Sequence, residues 1–455
     1  MAERLVVIGG DAAGMSAASQ ARRRRPANEL QIVAFERGRF TSYAACGIPY
    51  MVGGLVEDAQ KLVARTPQVF RDRFQIDART GHEVVAIDTG NRTVRVRDLS
   101  EEREFDEPWD HLVVATGAQP LRPSIPGIEL EGILGVQTLD DGLAVERALE
   151  GRPESAVVVG GGYIGLEMAE ALVMRGLRVT LVEMAPQPMR TLDPDMGALV
   201  ADGLRKAGVE LRLEEPVEAF EGQGGRVEAV VTSTGSLAAD VVILGLGTRP
   251  RSDLAGEAEI PLGETGGIIT DRRMRTPVDG VWAAGDCVET FHRVSRRPVA
   301  IALGTHANKQ GRVAGMNLGG EYATFPGVVG TAISKICDVE VARTGLNERE
   351  AREAGLEFET VRVDSSTRAH YYPGAEKMTT KLLAELGSGR LLGGQIVGGA
   401  GSAKRIDVLA ACLWNEMTVD EMQGMDLSYA PPFSPVWDPV LITARKAAEQ
   451  RRGDE

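Results

Sequence analysis

The sequence predicts an α/β chain in which two Rossmann-like βαβ units are followed by a C-terminal α+β domain. Three observations carry that prediction. The β-branched segment Arg4 to Ile8 runs into the turn Gly9-Gly10-Asp11-Ala12-Ala13-Gly14 and then into an alanine-rich helix. The same order returns at Ala156-Val157-Val158-Val159-Gly160-Gly161-Gly162-Tyr163-Ile164-Gly165. From about residue 323 the apolar residues instead alternate, the period of antiparallel strands.

In the first unit the helix extends to about Arg25, where Pro26 stops it, and a second strand, Gln31 to Phe35, finishes at Glu36. A glycine turn at this place lets a pyrophosphate approach a helix N-terminus, and an acid closing the next strand can accept ribose hydroxyls. Asp11 occupies the position of the second fingerprint glycine. The second unit has all three glycines, then a helix to about Arg175 and a strand, Arg178 to Val182, ending at Glu183. One such glycine pattern is often an ordinary tight turn. Two copies, each with strand, helix and acid in place, make that reading poor.

Strand-plus-turn segments His111 to Gly117, Val241 to Gly247 and Gly280 to Asp286 are of the kind that closes such units, and the last places a carboxylate at a strand end, where α/β sheets bind ligands. A helix follows from about Ala302 to Leu318. In the last domain Val328 to Ile336, Glu359 to Val363, Thr379 to Ala384 and Leu391 to Val397 read as strands, with a covering helix over Ser402 to Glu416.

The chain of 455 residues carries a formal charge of -14, which disfavours nucleic acid or an anionic membrane as partner. Its 4 cysteines, Cys46, Cys287, Cys337 and Cys412, include no closely spaced pair, so neither a disulfide framework nor a metal site is expected, and the cysteine usage suits the cytoplasm. No charged-then-apolar leader precedes the first strand, and no membrane span is expected.

Cys46 stands in Ser42-Tyr43-Ala44-Ala45-Cys46-Gly47-Ile48-Pro49-Tyr50, shortly after the strand that ends at Glu36. A thiolate is the reactive form of cysteine, and a helix N-terminus or nearby positive charge lowers its pKa, so a redox role with a lowered thiol pKa is the expectation here. The alternative, an inert structural cysteine, suits the other three. The run Arg22-Arg23-Arg24-Arg25 suits a solvated helix C-terminus, and also forks for a phosphate-bearing ligand.

Over essentially its whole length the sequence resembles the pyridine nucleotide-disulfide oxidoreductases: the turn at Gly9 to Gly14, the strand end Ala115-Thr116-Gly117, the turn at Gly160 to Gly165 and the pair Gly285-Asp286 follow in that family's order. The resemblance implies an FAD-binding domain from residues 1–115 and 248–322, an NAD(P)H-binding domain over 116–247 and a dimerisation domain over 323–455, in a homodimer acting on small molecules. It implies FAD contacts at Gly9, Gly10, Ala13, Gly14, Glu36, Arg37, Ala115, Thr116, Gly117, Gly285, Asp286 and Ala302. Nicotinamide nucleotide contacts are implied at Gly160, Gly162, Tyr163, Ile164, Gly165, Glu167, Glu183 and Gly247, with Tyr163 lying over the flavin. Glu183 would repel a 2'-phosphate, so NADH is favoured over NADPH, with Arg190 nearby acting against that preference.

The branch of the family turns on Cys46. Members with an internal dithiol carry a second cysteine five residues on, where this chain has Met51, and they use a histidine near the C-terminus, where this chain has none beyond His370. Oxidase and peroxidase members of the single-cysteine branch carry a histidine at the position of Ala12. The motifs CGIPY, YYPG at Tyr371 to Gly374, and YAPPFSPVWDP at Tyr429 to Pro439 instead resemble the coenzyme A-disulfide and CoA-persulfide reductases. That likeness implies a Cys46–CoA mixed disulfide, with Tyr371 (or Tyr372) and Tyr429 reaching the cysteine from the other subunit. It implies CoA contacts at Arg22, Arg23, Ser42, Lys61 and Arg65. Other readings are an NADH oxidase or peroxidase cycling through a sulfenic acid, a ferredoxin-reductase-like electron carrier, and a redox-sensing flavoprotein without turnover.

Overall fold

A computed structural model describes residues 2–453. The run Leu5-Val6-Val7 is wholly buried, as expected of a strand covered on both faces, and it forms the middle of a parallel sheet. That sheet is ordered Val281–Ala283, His111–Val114, Glu3–Ile8, Leu30–Glu36 and Asp77–Thr80. The helix Ala12–Arg24 lies on it and packs against Gly304–Leu318 at backbone distance: a Cβ on Gly311 would stand 2.1 Å from the Ala13 carbonyl oxygen, and one on Gly315 2.3 Å from that of Ala17. Only glycine permits that approach. The helix begins at Gly304, so Ala302 is not part of it as the sequence suggested; it lies exposed in the preceding segment.

Between its visits to this sheet the chain builds a second one on the same plan, ordered Glu210–Leu213, Arg178–Glu183, Ser155–Val159, Val241–Leu244 and Ile133–Gly135, again all parallel. Each unit carries a three-stranded antiparallel meander, His82–Asp88 to Arg103–Pro108 in the first and Val217–Gln223 to Gly235–Ala238 in the second. The ribbon Ala118–Pro120 with Thr248–Pro250 marks the two crossings between units.

The last domain is a five-stranded antiparallel sheet, ordered Ala332–Ile336, Val339–Gly345, Leu391–Gly398, Lys377–Glu385 and Phe358–Ser366, covered by helices Ile406–Trp414 and Pro439–Gly453. Three readings are corrected here. The first strand starts at Ala332 rather than Val328, because Gly330 takes a left-handed φ of 65° before it. Val339–Gly345 is an unanticipated strand, joined to the first through Cys337 at φ 55°. The Ser402 to Glu416 segment divides into a 3-10 turn, Ala403–Arg405, and the helix Ile406–Trp414.

Buried polar groups fasten this domain to the second unit. Lys381, 4% exposed, places Nζ 2.6 Å from Glu348 Oε1, 2.8 Å from Asp195 Oδ1 and 3.1 Å from Asp193 Oδ2. Gln395 donates to Asp193 Oδ2 at 2.7 Å and accepts from its backbone N–H at 2.8 Å. Arg343 forks onto Glu350 at 3.0 and 2.7 Å and also donates to the carbonyls of Thr191 and Gly345. Every partner here satisfies a charge that would be costly alone. Among the described residues no helix is long and apolar enough to cross a membrane, and no three His, Cys, Asp or Glu side chains group as metal ligands.

Candidate active site

The two glycine turns are built alike. In the first, Glu36 accepts from the backbone N–H of Gly10 at 2.8 Å and of Gly38 at 2.6 Å; in the second, Glu183 accepts from Gly161 at 2.7 Å and Ala185 at 2.8 Å. A carboxylate thus clamps each turn from the end of the neighbouring strand. A Cβ on Gly9 would lie 2.1 Å from the Ala115 carbonyl oxygen, one on Gly14 1.9 Å from that of Gly9, and one on Gly165 2.0 Å from that of Gly160. Glycine lets the backbone close this tightly at these helix N-termini, the packing that a pyrophosphate-binding turn requires.

The cysteine loop is stitched across the first turn. Ser42, at φ 49°, donates its N–H to the Gly10 carbonyl at 2.9 Å; Tyr43 donates to Asp11 Oδ1 at 3.1 Å; Ala64 donates back to Ser42 at 2.8 Å. Cys46 sits in the 3-10 turn Ala45–Gly47 that leads into the short helix Ile48–Val52. It is the exposed cysteine of the chain; Cys287 and Cys412 are buried and Cys337 is half-buried. Its electrostatics correct the sequence expectation. Surrounding protein partly desolvates the thiol, and Glu167, Asp286 and Asp11 add negative potential, so its pKa lies above the ordinary value, not below it. A five-residue helix supplies little dipole against those charges.

The acids around Cys46 are themselves perturbed. Burial pushes Asp286 up to about 6, opposed by a backbone hydrogen bond from Leu303, and leaves its Oδ1 buried without a partner. Burial pushes Asp11 up to about 7, opposed by the Tyr43 N–H. Glu167, in the helix Tyr163–Met174, accepts from Ser334 Oγ at 2.7 Å and is raised mainly by burial. The Tyr163 hydroxyl is buried beside Thr191 without a well-formed hydrogen bond. Asp11 and Ser334 were not singled out as site residues in the sequence. The substitution of Asp11 for glycine was the visible signal, whereas Ser334 carried none because its role depends on another domain's helix.

The remaining candidates divide. Thr116 donates Oγ1 to the Arg251 carbonyl at 2.5 Å, and Arg37 pairs with Glu83 at 3.7 Å. Arg22 spends its guanidinium on the carbonyls of Phe74, Arg25 and Gln75, so it ties a helix end to the loop beyond Pro67–Phe74, while Arg23 is exposed. Arg24 and Arg25 pair with Glu321 and Glu3, which corrects the picture of a merely solvated run. Lys61 pairs with Glu57, and the Arg65 guanidinium lies 5.4 Å from the centre of the Phe74 ring. Tyr371 and Tyr429 are 66% and 46% exposed, and the neighbouring Tyr371 phenol holds that of Tyr429 above its ordinary pKa.

Residues 3–311 match the profile described as pyridine nucleotide-disulphide oxidoreductase. The chain belongs to that family. Residues 331–439 of this oxidoreductase match the family's dimerisation domain. It is 43% identical over 443 residues to an NAD(P)H sulfur oxidoreductase (CoA-dependent) of Pyrococcus abyssi, covering 97% of both chains. It is 32% identical to a coenzyme A disulfide reductase of Staphylococcus aureus, covering 98% of this chain and 99% of the relative. Among solved structures it superposes on an NAD-dependent persulfide reductase from A. fulgidus with a TM-score of 0.96 and 41% identity, over 99% of this chain and 84% of that one.

Gly165→Ala places a methyl group on the Gly160 carbonyl of the oxidoreductase's second turn. The helix must move off the turn, and NADH affinity is expected to fall at least about tenfold, a loss of about 1.4 kcal/mol. Titration of the flavin-loaded variant checks this; an affinity within twofold of wild type would mean that the turn relaxes freely.

Proposed function

We propose that this oxidoreductase passes electrons from NAD(P)H through FAD to a CoA disulfide, CoA persulfide or polysulfide bound at Cys46. The observation that carries the reading is a single exposed cysteine stitched to the first glycine turn, with every other cysteine buried or half-buried elsewhere. The names of the relatives in Pyrococcus, Staphylococcus and A. fulgidus support the substrate class.

The residues fit the cofactor. The tightly closed turn at Gly9, Gly10, Ala13 and Gly14, the strand end Ala115 to Gly117 and the partnerless Asp286 Oδ1 beside Gly285 suit FAD, whose hydroxyls could satisfy that oxygen. Bound FAD would supply the passage of hydride electrons to sulfur. The turn Gly160 to Gly165 and Glu183 suit the nicotinamide nucleotide; Glu183 disfavours a 2'-phosphate, so we favour NADH. The domain limits proposed are 1–115 with 248–322 for FAD, 116–247 for NAD(P)H and 323–455 for dimerisation.

Cys46 as thiolate attacks the substrate S–S bond and keeps one sulfur as a mixed disulfide or persulfide while the other leaves as a thiolate. The exposed Tyr371 and Tyr429 phenols, together with the match of residues 331–439 to the dimerisation domain, support a homodimer in which the phenols serve the opposite site. Ser42, Lys61, Arg23 and Arg65 flank the cysteine loop and the Ala12–Arg24 helix as CoA contacts; Arg22 is proposed to support that helix from behind. Four unpaired cysteines support a reducing compartment such as the cytoplasm.

Intact mass of the purified protein under denaturing, non-reducing conditions tests the reading. A gain equal to one CoA after incubation with CoA disulfide, lost on reduction and absent from Cys46→Ser, is expected. An added oxygen on an otherwise unmodified chain would instead point to an oxidase.

A further inference from the structure

Asp11 stands where the first turn's second glycine is expected, and it caps the helix Ala12–Arg24. An aspartate in that position ordinarily accepts from the N–H groups of its own helix's first turn. Here it makes no such bond. Its Oδ1 instead accepts from the Tyr43 N–H at 3.1 Å, 32 residues along the chain, in the loop that carries Cys46. Two hydrogen bonds bring that loop onto the turn. One, from the Ser42 N–H to the Gly10 carbonyl at 2.9 Å, joins main-chain atoms and holds Ser42 at its left-handed φ of 49°. The other is the Tyr43–Asp11 bond, and of the two only this one depends on a side chain. On its far side the loop is tied to the segment 62–65: Ala44 donates to the Leu62 carbonyl at 2.8 Å, Tyr43 bridges with Val63, and Thr41 Oγ1 donates to the Arg65 carbonyl at 3.0 Å. Cys46 follows at once, in a turn closed by the Gly47 N–H on the Ala44 carbonyl at 2.8 Å and seated on Leu62, whose side chain would lie 2.3 Å from a Cβ at Gly47. The path from Tyr43 to the sulfur is short and tied at both sides.

We propose that Asp11 is a positioning residue for Cys46: its carboxylate, turned from its own helix to the Tyr43 N–H, sets where the sulfur stands relative to a flavin at the first turn. The inference rests on reading Cys46 as the sulfur-reactive group and that turn as the FAD site. Turning away also leaves the first N–H groups of the helix free of the Asp11 side chain, as a pyrophosphate there needs. One residue thereby serves both ligands of the turn, the cofactor by standing aside and the cysteine loop by holding it.

The other acid at the turn cannot stand in, because Glu36 already accepts from the N–H groups of Gly10 and Gly38. Misplacing a reacting atom by about 1 Å can cost about a hundredfold in rate. A loop held by one bond fewer should therefore show in the sulfur half of the reaction.

The test uses the FAD-loaded protein with Cys46 freed by dithiothreitol, the reductant removed, at a pH high enough to ionise the thiol. A thiolate against an oxidised flavin gives a long-wavelength charge-transfer absorbance whose intensity follows their contact. Asp11→Ala is expected to lose at least about half of that absorbance, and reoxidation of its NADH-reduced flavin by bis(2-hydroxyethyl) disulfide should slow about tenfold, with FAD retained. Asp11→Asn keeps an amide oxygen for Tyr43 and should stay within about twofold of wild type in both. Both variants remove the charge that Asp11 adds near the thiol, so only the acceptor separates them. Equal values for Asp11→Ala and wild type would overturn the proposal, because the loop would then hold without the bond. Equal losses in both variants would overturn it in favour of charge, and loss of FAD from Asp11→Ala would make the residue a part of the cofactor turn alone. A wild-type protein without the absorbance, or a Cys46→Ser variant that keeps it, would sink the reading of the cysteine and the proposal with it, an outcome distinct from the others.

Discussion

Cys46→Ser is expected to lose at least about a thousandfold in turnover of any sulfur substrate while NADH still bleaches the flavin at close to the wild-type rate. The serine hydroxyl is nearly isosteric, so the Ala45–Gly47 turn and its bonds to the glycine turn persist, but it can form no disulfide. Stopped-flow absorbance separates the two half-reactions. A variant that kept full sulfur turnover would make the cysteine dispensable and favour an electron carrier. A variant that lost flavin reduction as well would show that Cys46 holds the cofactor site together.

Lys381→Met should lower stability by about 3–5 kcal/mol, the usual cost of removing one partner from a buried ionic cluster. Methionine fills most of the space, yet leaves Asp193, Asp195 and Glu348 without their shared cation. Arg352 and Arg362 answer part of the charge on Glu348 and Asp195, but Asp193 is 2% exposed and keeps only hydrogen bonds. The sign with pH follows from the same cluster. Lysine has its pKa raised by its carboxylate partners, so its contribution is full below the unfolded-state value near 10.4 and is lost as pH rises through the higher folded value. Scanning calorimetry near neutral pH should show the first transition several degrees lower; a shift under one degree would mean that the cluster repacks without loss.

Much of this was legible because the first two units obey local rules. Strand, glycine turn, helix and terminal acid are contiguous in sequence, and the Glu36 and Glu183 clamps close over short distances along the chain. Recognition of Cys46 was equally local. Its electrostatic setting was not: Glu167, Asp286 and Asp11, whose charges raise the thiol's pKa, come from three separate elements that only folding brings together. The arginine run misled for a related reason, since the carbonyls that occupy Arg22 belong to a loop fifty residues on. In the last domain the strand Val339–Gly345 escaped notice because its partner precedes it through a two-residue turn at Cys337, whose left-handed backbone no turn residue advertises.

The Gly161 carbonyl accepts from Met189, and that same loop runs on through Thr191 and Asp193 into the Arg343 and Lys381 clusters. Nucleotide arrival and the seating of the C-terminal sheet therefore share one stretch of backbone. Thermodynamic reciprocity makes this strict: whatever factor loosening of those clusters imposes on nucleotide affinity, the bound nucleotide imposes on the clusters' own opening equilibrium.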